Sequence, residues 1–77
     1  MNDVELVFFY ESSHKNIYGQ RKIEIKKGTY IRGKQPMIEK IRTCNTKELA
    51  EKWCLKQGWG KHGYKKNLIT NEIELIN

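Results

Sequence analysis

The sequence predicts an α+β fold in which one helix packs on an antiparallel sheet of four or five strands, in the order β-β-β-α-β. Three observations lead there. The chain has 77 residues, which fits one small domain and excludes a second, and a domain of this size buries only about 60% of its unfolded surface. A single segment, from Asn45 to Gly58, carries apolar residues at helical spacing. The rest alternates with a period of two or is punctuated by glycine, asparagine and serine.

From Val4 to Tyr10 the alternation puts Val4, Leu6, Phe8 and Tyr10 on one face and Val7 and Phe9 on the other, as in a central strand covered on both sides. The cluster Glu11-Ser12-Ser13-His14-Lys15-Asn16 is rich in turn formers and is expected to end it. From Tyr18 to Lys27, Ile23 and Ile25 oppose Lys22, Glu24 and Lys26, the pattern of a half-buried strand. Lys27 and Gly28 are read as a tight hairpin turn into a strand from Thr29 to Arg32, with the face of Tyr30 left open by the unknown register. Gly33 to Pro36 breaks the pattern, because Pro36 cannot donate to a ladder and restricts Gln35. From Met37 to Thr43 a strand resumes, with Met37 and Ile41 on one face and Ile38, Lys40 and Arg42 on the other.

Asn45 is placed as the helix N-cap, with Glu48 three residues later completing a capping box. Leu49, Ala50, Trp53 and Cys54 fall on one face, opposite Lys47, Glu51, Lys52 and Lys56, and Gly58 is the expected left-handed stop. The helix is thus predicted from Thr46 to Gln57. Gly58 to Gly63 follows as a loop, and Tyr64 to Ile69 with Glu72 to Ile76 forms one bent strand or two joined near Thr70 and Asn71. Core candidates are Leu6, Phe8, Ile23, Ile25, Ile41, Leu49, Trp53, Ile69, Ile73 and Leu75.

Fifteen Lys and Arg against nine acids give a net charge of +6. Its distribution is uneven, because residues 1–11 and 67–77 contain no cation, and the segment between holds all fifteen cations with four acids. If the terminal strands lie together, the fold has an acidic edge and a basic remainder, an asymmetry that suits a polyanionic partner. Lysine, isoleucine and asparagine are abundant, which equally reflects an AT-rich genome of the kind found in many low-GC bacteria and their phages. The longest apolar run, Leu6 to Tyr10, is too short to cross a bilayer, and no cationic stretch precedes an apolar one at the start. A cytoplasmic protein without membrane contact is expected.

Two basic sets stand out as binding candidates. The loop from Gly58 to Lys66 offers the flat rings of Trp59 and Tyr64 for base stacking, with Lys61, His62, Lys65 and Lys66 placed to meet phosphates. Against this, Trp59 and Tyr64 would equally serve to plug the end of a thin core. The hairpin set comprises Arg21, Lys22, Lys26, Lys27, Tyr30, Arg32 and Lys34, which would suit a ribbon tracking a phosphate backbone or simply a solvated edge. With three arginines in the chain, bidentate reading of guanine edges is poorly supplied, so binding is expected to be directed at the backbone.

Cys44, Cys54, His62 and His14 lack the paired spacing of a zinc site, and no metal or cofactor is expected. Both cysteines are read as small hydrophobes. Catalysis is not expected either. Asp3 is the only aspartate, Ser12 and Ser13 beside His14 form no nucleophile elbow, and His62 has no supporting carboxylate nearby in sequence.

Ser13-His14-Lys15-Asn16-Ile17-Tyr18 and Lys61-His62-Gly63-Tyr64 together resemble the S-N-K-F-Y segment and K-K-G-Y ending of the WGR modules attached to poly-ADP-ribose polymerases. Tyr30-Ile31-Arg32-Gly33 stands where that family has W-G-R. The resemblance implies association with nucleic acid. The function expected from the sequence is therefore non-enzymatic binding to DNA or RNA, or to a complex containing one of them. The alternative is a small phage-type or mobile-element inhibitor that blocks an acidic surface of a host protein such as a nuclease or defence complex.

Overall fold

The computed structural model describes residues 3–77. Its elements are β1 (Val4–Lys15), β2 (Arg21–Tyr30), β3 (Met37–Cys44), α1 (Lys47–Lys56), β4 (Tyr64–Asn67) and β5 (Ile73–Leu75). The strands form one antiparallel sheet in the order β3-β2-β1-β4-β5, with α1 on one face. This is the α+β arrangement expected, with the last segment resolved into two strands.

The helix is shorter at both ends than predicted, and its cap is shifted by one. Thr46 is the N-cap, extended at φ −136° and ψ 161°, and its side chain accepts from the Leu49 N–H at 3.2 Å. With Thr46 as the cap, the expected box between Asn45 and Glu48 does not form, and the Asn45 carbonyl accepts from the Asn16 side chain at 2.8 Å. Gly58 ends the helix in the left-handed region at φ +84°. Ala50 and Cys54 are fully buried and Trp53 packs against the core from its margin. Leu49, expected in the core, is 49% exposed.

β1 runs past the expected turn. Its register with β2 is regular from Val4↔Tyr30 to Glu11↔Ile23, breaks, and resumes at Lys15↔Arg21, so Ser12 to His14 form an irregularity within the strand rather than its end. Ser12 is buried, and its hydroxyl accepts from the His14 N–H while its carbonyl accepts from Arg21. The true turn is at Asn16 to Gln20, where the Asn16 carboxamide oxygen takes the N–H groups of Tyr18 and Gln20.

The hairpin turn expected at Lys27 and Gly28 is absent. Gly28 lies within β2, opposite Leu6 on β1 and Ile38 on β3, and the chain reverses only after Tyr30, with Gly33 at φ +80°. In β3, Arg42 faces Ile25 and Lys40 faces Lys26, which leaves Ile41 as an extra residue. Because of this bulge Ile41 packs against the core and Arg42 reaches over the Trp53 ring at 5.4 Å from the same side.

The core lies between α1 and the sheet and consists of Val7, Ile23, Ile25, Cys44, Ala50, Cys54 and Tyr64, with Phe9, Ile41, Trp53 and Trp59 at its margin. Of the expected core residues, Leu6 and Phe8 turn to the other face, while Ile69, Ile73 and Leu75 are exposed. The phase of β1 is therefore the reverse of the one predicted. No acidic edge forms, because β4 separates β1 from β5 and sets Lys66 opposite Glu5 and Lys65 opposite Glu74.

Candidate functional site

Side chains alternate across a strand, and register partners share a face, so the ladder fixes what the sheet presents on the side away from α1. One row across that side runs Lys65, Leu6, Gly28, Ile38. The next runs Phe8, Lys26, Lys40, and the one beyond it Tyr10, Glu24, Thr43. On the other flank are Asn67, Val4 and Tyr30. Among the described residues no helix covers this face, and it combines three aromatic rings, three aliphatic side chains and three lysines.

Two contacts shape it. Lys26 Nζ lies 3.8 Å from the centroid of the Tyr10 ring and 3.7 Å from Glu24 Oε1, so its charge sits over the aromatic surface instead of extending into water. Tyr30 folds back along its own strand. A Cβ at Gly28 would lie 2.7 Å from both Cε2 and the hydroxyl of Tyr30, so the hydroxyl end of that ring fills the space above Gly28. The missing side chain is what lets the ring lie down on the sheet between Leu6 and Ile38.

The residues singled out in the sequence divide between the two faces. Lys26, Tyr30 and Lys65 join the open face. Lys22 borders a concavity at the sheet end with Lys15, Asn16, Tyr18 and Thr46. Arg21 donates to the Ser12 carbonyl, and Arg32 and Lys34 are in the exposed turn after β2, where the Arg32 N–H donates to Asp3. Lys27 and Lys66 are on the α1 side beside Glu5, with Lys27 Nζ 3.6 Å from its carboxylate.

The loop from Gly58 to Gly63 is folded onto its own chain. Trp59 lies edge-on between Trp53 and Tyr64, at centroid distances of 5.5 and 5.3 Å, and so plugs the core as the alternative reading held. Tyr64 is only 9% exposed, and its hydroxyl donates to Glu5 at 2.5 Å. Burial, then the hydrogen bond and charge of Glu5, push its phenol well above the usual range. Gly63, at φ +103°, presses so closely on the Val7 carbonyl that no side chain fits, so the backbone approach this glycine permits is to β1 and not to a ligand.

His62 shares a hydrogen bond with Glu51 at 2.7 Å, and Lys61 is 3.9 Å from the same carboxylate. The supporting acid absent near His62 in sequence thus comes from α1, where it ties the loop to the helix. Both thiols are free and buried, and burial, with Cys44 adding to it, pushes Cys54 up to about 11. Among the described residues no three His, Cys, Asp or Glu side chains group to hold a metal, and no helix is long and apolar enough to cross a membrane.

Phe8, Tyr10 and Lys40 belong to the open face and were not among the sequence candidates. A signal for them exists: β1 carries large apolar groups at both parities, and one helix covers one face of a sheet, so one apolar row had to remain outside. No protein-family model, curated protein or solved structure matches the chain, and the resemblance to WGR modules rests on the residues quoted for it alone.

Proposed function

We propose that the protein binds nucleic acid through the sheet face opposite α1. The observation that carries this reading is a helix-free face on which Lys26, Lys40 and Lys65 surround Phe8, Tyr10 and Tyr30, in a chain of net charge +6. Lysines meet phosphates as point charges, and apolar rings between them receive sugar and base surface. Glu24 and Glu74 share the face, so its local excess of charge is modest and the number of phosphate contacts is expected to be small.

Titration of labelled DNA single strands and duplexes over a range of salt concentrations tests it. Binding is expected at low salt, with log affinity falling by about 0.7 to 0.9 per decade of salt for each phosphate contacted. Absence of binding to either form at low salt would refute the proposal. A second reading, docking on a host protein, is favoured by one feature: Ile73 and Leu75 are exposed on β5, a strand at the sheet edge with an unpaired side. It would then stand in front.

A further inference from the structure

We infer that the occupant of the open face is an unpaired polynucleotide strand, and that Tyr30, laid down over Gly28, is the stacking platform for one of its bases. This rests on the nucleic-acid reading above and narrows it to a substrate class. Three features favour an unpaired strand over a duplex. The rings of Phe8 and Tyr30 sit on the sheet itself, where a base plane lies against them, whereas a duplex presents phosphates and groove edges and keeps its base faces stacked internally.

The cations are arranged around the rings rather than in a separate ridge. Lys65 closes the row of Leu6 and the Tyr30 ring at one end, and Lys26 and Lys40 form the next row. A strand crossing β1, β2 and β3 therefore finds a base surface and a phosphate partner within adjacent rows, about 6 to 7 Å apart along the strands. The third feature is Gly28. It has an ordinary strand conformation and no turn to make, yet a side chain there would collide with the far end of Tyr30. Its observed consequence is to hold an aromatic ring against the sheet.

The experiment compares an oligothymidylate single strand with a DNA duplex of equal length, using the whole chain. The unmodified protein is expected to prefer the single strand. Tyr30→Leu is expected to weaken single-strand binding roughly 5- to 150-fold while leaving duplex binding nearly unchanged, and Tyr30→Phe is expected to restore it. Gly28→Ala, which lifts the ring without straining the backbone, is expected to fall in the same direction with all three lysines intact. Thermal unfolding of each variant confirms that it is folded. Equal affinity for duplex and single strand, or a folded Tyr30→Leu protein that binds the single strand as tightly as the original, would overturn the platform while leaving backbone-directed binding in place. Failure to bind either nucleic acid would instead remove the reading on which it rests.

Discussion

Tyr64 shows how a side chain with basic and glycine neighbours is still drawn inward when the strand phase demands it. Opposite Val7 on β1, it faces α1, and its hydroxyl reaches the carboxylate of Glu5. Cys54, on the buried stripe of α1, shares that core. Both groups are held neutral by burial, so each contributes stability that is complete below its unfolded pKa and is lost as pH rises toward the folded one. For Cys54 the window runs from 9.0 to about 11, and for Tyr64 the loss begins above 10.0. The urea midpoint is therefore expected to hold steady up to about pH 9 and to fall beyond it. Cys54→Ala should flatten the first part of the fall and Tyr64→Phe the second. A midpoint unchanged to about pH 11 would show that neither group is protected from ionisation.

At the level of elements, α1 was legible because its periodicity, its glycine stop and its lysine-rich outer side agree. Its first residue was not, since Asn45 and Thr46 are both good caps and only the connection from β3 decides between them. Asn45 is held by Asn16 from the neighbouring turn, which leaves Thr46 to cap. Thr46→Ala is thus expected to cost about 0.5 to 2 kcal/mol in a denaturant titration, and Asn45→Ala, whose side chain caps nothing, only a few tenths. The reverse ranking would return the cap to Asn45. Gly28 misled the strand reading for a related reason: a lysine–glycine pair between alternating residues has the composition of a hairpin turn, and only the packing of Tyr30 above it explains a glycine in mid-strand. The phase of β1 was illegible because both of its parities are apolar.

In the whole molecule, the charge segregation visible along the chain is largely undone by topology. β1 takes the centre of the sheet, β4 comes between it and β5, and the acids of both termini meet lysines across the ladders. The basic middle of the chain is in turn divided by the sheet into two populations. On the α1 side Lys27 and Lys61 stand within ion-pairing distance of Glu5 and Glu51, and Lys66 faces Glu5. On the open side Lys40 and Lys65 border the rings, and Lys26 lies over Tyr10. No sequence pattern distinguishes these sets, because the parity of each lysine follows from register. If the open face is the interface, Lys40→Gln with Lys65→Gln should reduce the salt slope of nucleic-acid binding by about 1.4 to 1.8, the loss of two phosphate contacts. Lys61→Gln with Lys66→Gln removes the same formal charge from the opposite side and should change the slope far less. Folding should be nearly indifferent to both pairs, since exposed lysines contribute little to stability. An equal fall in slope for the two pairs would mean that total charge, and not this face, governs binding, and a larger fall for Lys61 and Lys66 would move the interface to the helix side.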